Sequence, residues 1–223
     1  MFSKEENYSL FDPSVSLREE VAEGTFAPKF SFDESIEHIK FSIDKVKILK
    51  KKEFLTKAEV YVAWIVADDT SDEPIQIGKT GIFENVKKND ELTLGPAGLT
   101  IYRSQSGKLP KYIRYSLLVI ESDQGVREFG EAMEKVRSSD EFKAITKSII
   151  ATTALAAPQV ALVTEGINFA LKMIAKTMSM NKDDQMILIE GSYDRLFDDL
   201  GVVYNTVKKN SRYAEVHYSV KAV

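Results

Sequence analysis

The chain has 223 residues, 43% of them hydrophobic and 29% charged, with a formal net charge of −4. That length suits one large domain or two small ones, with apolar residues enough for a sizeable core. The acidic balance argues against non-specific nucleic-acid binding, and the lack of cysteine excludes disulfides, thiolate metal sites, iron–sulfur clusters and cysteine nucleophiles.

Residues 1–35 read as an extended acidic arm. Lys4, Arg18 and Lys29 stand against eight carboxylates, a net −5. Phe11, Phe26, Phe30 and Phe32 interrupt the acidity, and Pro13 and Pro28 break helices. A purely disordered tail carries fewer aromatics. The arm is therefore expected to pack on its own body or on a neighbour. Its first twenty residues lack the apolar core of a secretory signal, which predicts a cytoplasmic protein.

Residues 36–223 are expected to form a β-sandwich domain. IKFSIDKVKIL alternates at Ile39, Phe41 and Ile43 and resumes at Val46 and Ile48, so the slip at Asp44-Lys45 predicts a bulge. EVYVAWIVA sets Val60, Val62, Trp64 and Val66 against Tyr61, Ala63 and Ile65, the pattern of a strand covered on both faces. PIQIGKTGIF, ELTL and GLTIYR follow as shorter strands. YIRYSLLVIE groups Ile113, Tyr115, Leu117 and Val119. QMILIEGSY and AEVHYSVKAV complete a count of eight. The last points Ala214, Val216, Tyr218 and Val220 inward and Glu215, His217, Ser219 and Lys221 outward.

A helical insertion at about residues 124–180 separates the sixth and seventh strands. Val126, Phe129, Met133 and Val136 make its first apolar stripe. Ser138 with Glu141 then forms a capping box for a second helix, whose stripe is Phe142, Ile145, Ile149 and Ala156. Pro158 interrupts the pattern. A third helix sets Val160, Val163, Ile167, Leu171, Ile174 and Met178 opposite Gln159, Glu165, Asn168, Lys172 and Lys176. The stretch 148–175 is strongly apolar, yet its ordered polar side favours packing on the sheet or in an oligomer over lying on or crossing a lipid bilayer.

The fold class is thus mainly β with an α insertion, an antiparallel eight-stranded sandwich. If the eight strands alternate in direction, the connections after strands two, four and six share one end. Two acidic loops then converge there: Asp68-Asp69-Thr70-Ser71-Asp72-Glu73, and the segment opening at Glu121-Ser122-Asp123. The run Leu117-Leu118-Val119-Ile120-Glu121-Ser122-Asp123 and the carboxylates Asp68 and Asp72 resemble the C2 domain family over roughly residues 36–123 and 185–222. The resemblance implies a sandwich that binds calcium and phospholipid through loops at one end, with Asp68, Asp72, Glu121 and Asp123 as metal ligands. The chain departs from the family in carrying Glu at 121, a helical block in the third loop, and no carboxylate in Gly95-Pro96-Ala97-Gly98. Clustered carboxylates suit calcium, which takes six to eight oxygens. The same residue types also favour solvated turns and helix N-caps.

Lys50-Lys51-Lys52, with Lys45, Lys47 and Lys57, reads as a basic hairpin suited to anionic head groups or to guarding an edge strand. Gly78-Lys79-Thr80 is no phosphate loop, since Glu73 and Pro74 precede it and no helix is predicted after it. Gly191-Ser192-Tyr193 is no nucleophile elbow, with Ile189 at the first glycine position. His38 and His217 have neither metal nor triad spacing. The chain is therefore expected to be a non-enzymatic interaction or structural subunit, meeting a protein partner or a second copy through its helical insertion and arm. Alternatives are a calcium-assisted phospholipid-binding module and a membrane-active effector acting through residues 148–175. No cofactor is expected for the primary reading; calcium belongs to the alternative one.

Overall fold

The computed structural model describes residues 18–19, 32–51, 58–105, 108–122, 127–151, 156–181 and 184–223. In chain order the elements are β1 (Arg18–Glu19), β2 (Ile39–Ile48), β3 (Ala58–Asp68), β4 (Ile75–Lys79), β5 (Phe83–Val86), β6 (Leu99–Arg103) and β7 (Tyr112–Ser122). Then come α1 (Arg127–Ser138), α2 (Asp140–Ala151), α3 (Ala156–Asn181), β8 (Asp184–Asp194), β9 (Val207–Asn210) and β10 (Ala214–Ala222).

The alternating runs make the two sheets, and every pairing is antiparallel. Sheet A has the order β1-β9-β10-β2-β6, and sheet B the order β4-β3-β7-β8 with β5 also on β3. The expected bulge in β2 is present: Val46 lies opposite Val216 and Lys45 opposite His217, but Ile43 opposite Tyr218, so Asp44 is the extra residue. Inward residues of both sheets share one core, among them Phe41, Ile43 and Val46 of β2, Val60 and Val62 of β3, Tyr115 and Leu117 of β7, and Val216 and Tyr218 of β10. The architecture is sandwich-like.

A second core lies on the other side of sheet B. Tyr61, Ala63 and Ile65 of β3 and Leu118 and Ile120 of β7 meet Met133 and Val136 of α1, Phe142, Ile145 and Ile149 of α2, and Val163, Ile167, Leu171 and Ile174 of α3. β3 is thus buried on both faces, as its sequence requires. The stripe of the long apolar stretch lies on the sheet, and Glu165, Asn168, Lys172 and Lys176 are exposed. Among the described residues, no helix is long and apolar enough to cross a membrane.

Several expectations need correction. ELTL is not a strand, and pairs only through an isolated bridge between Glu91 and Lys47. PIQIGKTGIF breaks into β4 and the start of β5, because the Thr80 side chain accepts the Val62 N–H at 3.0 Å in place of a ladder bond. The N-cap of α2 is Ser139, whose Oγ accepts the Phe142 N–H at 3.3 Å; Ser138 Oγ instead donates to the Lys135 carbonyl. α3 begins at Ala156, so Pro158 lies in its first turn, where a missing N–H costs nothing, rather than between helices. Ser219 alternates outward but is 1% exposed. Val126, and Phe11, Phe26 and Phe30 of the arm, lie outside the described residues.

Candidate functional site

The acidic loop after β3 is held by its own carboxylates. Asp68 ends β3 and its N–H donates to the Pro74 carbonyl at 2.9 Å, closing the loop. Its Oδ1 accepts the backbone N–H groups of Thr70 and Ser71, both at 2.7 Å, and its Oδ2 accepts the Ser71 hydroxyl at 2.5 Å. This is an Asx-type turn in which both carboxylate oxygens are occupied. Asp69 Oδ1 reaches across to the start of β7 and accepts the N–H of Lys111 at 2.8 Å and of Tyr112 at 3.3 Å. Asp68 and Asp69 are both buried. Burial pushes the Asp69 carboxyl above the usual carboxylate range, against the pull of those two N–H groups. Burial likewise raises the Tyr102 phenol, with the Asp68 charge adding to it.

Beside this loop lies an open groove of about 940 Å³. Segments from four parts of the chain meet there: Glu37 and His38 before β2, Asp69 to Asp72, Lys108 to Lys111 before β7, and Arg195 after β8. Ile149 and Ile150 at the end of α2 close one side. Lys108 Nζ stands 3.6 Å from Asp72 Oδ1, both exposed. The Arg195 N–H donates to the Lys111 carbonyl at 2.9 Å, and its guanidinium lies 4.3 Å above the Phe32 ring. The groove is thus lined by Lys108, Lys111 and Arg195 together with Glu37, Asp69 and Asp72, a mixed-charge surface on a partly apolar floor.

Of the four carboxylates expected to hold calcium, Asp68 and Glu121 are not brought together. Strand register puts Asp68 opposite Ile113, at the start of β7, and Glu121 opposite Val60, at the start of β3. Glu121 is eight residues farther along β7 than the Asp68 level, about 27 Å at ~3.4 Å per residue. Asp72 stays with Asp68 in an exposed position, and Asp123 lies outside the described residues. Among the described residues, no group of three or more candidate ligands is placed to hold a metal ion. The lysine loop, of which Lys50 and Lys51 are described, follows the end of β2 and so lies at the Glu121 end.

No protein-family model, curated protein or solved structure matches the chain. Its chemistry is read from the residues alone. His217 lies on the outer side of sheet A, 2.8 Å from Glu215 Oε1. Lys208 is 2.9 Å from the other oxygen of that carboxylate, and the two bonds together hold it below the usual range although burial opposes them. His38 reaches the groove instead. Lys108, Lys111 and Arg195 carry no motif in sequence. The one sequence signal for this region is the apolar pair Leu196-Phe197, directly after Arg195 and before Asp198-Asp199. They are 57% and 59% exposed.

Proposed function

We propose that the chain is a non-enzymatic interaction module that receives a protein segment at the groove end of its sandwich. One observation carries this reading. Of the five large hydrophobics exposed among the described residues, four belong to segments at this end: Ile150, Leu196, Phe197 and Val223. Ile150 lines the groove, Leu196 and Phe197 follow its Arg195, and Val223 donates its N–H to the His38 carbonyl at 2.9 Å, so apolar side chains adjoin a groove of mixed charge. Exposed apolar side chains gathered beside polar and charged ones mark a recognition surface. The apolar stripes of the helices lie against sheet B, so they are not the contact surface of this reading; the α2 terminus contributes through Ile150. The C2-like reading belongs to the same proposal. Two antiparallel sheets support it, and the resemblance implies that loops at one end do the binding.

The test is site-specific photo-crosslinking in cells that naturally make the protein. A photoreactive residue at Phe197 should give an adduct of defined mass, weakened by Lys108→Glu with Lys111→Glu. The same group at Glu134, exposed on α1, should give none. An adduct at twice the chain mass would identify a second copy as the partner. Equal adducts from both positions, or none from Phe197, would overturn the reading.

A further inference from the structure

The outer face of sheet A has a composition opposite to that of the arm. Register places Lys40, Lys45 and Lys47 of β2, Arg103 of β6, Lys208 of β9 and Lys221 of β10 on this face. On the strands of sheet A the carboxylates against them are Glu215 and Asp44 of the β2 bulge; Glu91 reaches Lys45 from the rim at 2.5 Å. Residues 1–31 carry six carboxylates against Lys4, Arg18 and Lys29.

The middle of the face is also closed to solvent. Ser42 and Ser219 lie opposite each other on outward positions, yet they are 2% and 1% exposed. Among the described residues, their hydroxyls and the buried Oδ1 of Asn210 on the same face have no hydrogen-bond partner. The helical layer does not explain this, because α3 packs on β3, β4 and β7 of sheet B. An outward serine in the centre of an open sheet face keeps contact with water; these two have lost it.

We propose that this chain's own acidic arm, residues 1–31, lies across the outer face of sheet A. The arm is already tethered at the edge of that sheet: Arg18 pairs with Asn210 and Glu19 with Lys209. Reach is ample. Crossing from β9 to β6 takes three strand spacings, about 14 Å. The seventeen residues before Arg18 extend up to about 55 Å. Carboxylates of the arm oppose the lysines, and its backbone groups meet the hydroxyls of Ser42 and Ser219. The occupant is the same molecule, because Glu19 and Phe32 bound a linker of twelve residues that holds the arm near this face.

The chain has no cysteine, so one introduced thiol reports alone. The experiment compares thiol-labelling rates of Ser219→Cys in the full chain and in a chain lacking residues 1–31, with Lys143→Cys on the exposed side of α2 as reference. The Ser219→Cys thiol should label about tenfold or more slowly than the reference in the full chain, and approach it once the arm is removed. High salt should accelerate labelling in the full chain. Should the shortened chain fail to fold, Glu5→Lys, Glu6→Lys and Asp12→Lys in the full chain should give the same acceleration. Fast labelling in the intact chain overturns the proposal. So does slow labelling that survives both arm removal and charge reversal. Labelling that speeds up on dilution of the protein would assign the cover to a second copy and overturn the intramolecular assignment.

Discussion

Gly191 and Gly166 mark two close approaches with different tolerance. A carbon added at Gly191 would stand 2.4 Å from the Tyr115 hydroxyl oxygen and 2.6 Å from its ring. That ring cannot retreat. It stacks on Tyr193 at 5.2 Å, meets Phe41 edge-on at 4.9 Å, and its hydroxyl lies 3.1 Å from that of Tyr218. Gly191→Ala should cost about 2–3 kcal/mol in urea denaturation. At Gly166 in α3 the added carbon would meet the terminal methyl of Ile75 at 2.2 Å, the movable end of a flexible side chain. Alanine also favours the helix by about 1 kcal/mol over glycine. Gly166→Ala should therefore stay within about 1 kcal/mol of the parent. Neither contact is visible in sequence, because each glycine is explained by a residue far away in the chain.

Asp198 gives a pH-dependent test at the same scale. Burial pushes its carboxyl up to about 6, with the nearby Asp194 and Asp199 charges adding and its Oδ1 bond from the Asp194 N–H, 2.8 Å, opposing. An acid raised in the folded state favours the protonated form there. Its contribution is fully present below the unfolded value near 3.8 and is lost as pH rises through about 6. Asp198→Asn keeps an acceptor for Asp194 and removes the charge. The variant should melt above the parent at pH 7, and the gap should close as the pH falls from 7 toward 4. A constant gap across that range would contradict the assignment.

Among the elements, the long strands were legible because burial on one or both faces writes itself into period-two alternation. β2, β3, β7, β8 and β10 all follow that signal, as does the bulge at Asp44. β9, with the sequence VKKN, does not, since it is a half-buried strand recruited by β10 and has little apolar content to announce it. Counting ELTL as a strand had a larger effect. One spurious strand inverts the assumed direction of every later one, which is why Glu121 was expected beside Asp68 and lies at the far end of β7. Direction is a global property, and short apolar runs do not encode it. The residues of the acidic loop were found, and in this structure their carboxylates hold the loop itself. Asp69 ties the loop to β7 through two N–H groups. Asp69→Ala should cost about 1–3 kcal/mol by leaving those donors without their acceptor. Asp69→Asn keeps the oxygen and should cost less. Millimolar calcium should leave the thermal midpoint of the parent unchanged, because both oxygens of Asp68 already accept hydrogen bonds. A calcium-induced rise of several degrees would restore the metal reading of this loop.

At the scale of the whole molecule, the layer order decides what the apolar stretch 148–175 can do. α3 has 26 residues, about 39 Å at ~1.5 Å per residue, long enough in principle to reach across a bilayer. Its apolar stripe is not available for that. Val163, Ile167, Leu171 and Ile174 are buried against sheet B, and lifting them away would also bare Tyr61, Ala63 and Ile65 beneath. Each large aliphatic side chain returned to water costs about 1.5–3 kcal/mol. Four of them, with the sheet surface they cover, approach the roughly 5–15 kcal/mol that holds a domain together. Leaving the sheet is therefore close to unfolding, and lipid contact by these helices should follow unfolding rather than compete with the native state. Zwitterionic vesicles isolate this effect, since they offer no net charge to the lysines of sheet A. The native chain should stay at the bottom of a flotation gradient with such vesicles. Ile167→Asp, which puts a charge into the helix–sheet core, should lower stability by more than about 3 kcal/mol and send part of the protein up with the lipid. Flotation of the native, fully folded chain would mean that the helical layer opens at little cost, and that its packing on sheet B is one of two stable arrangements.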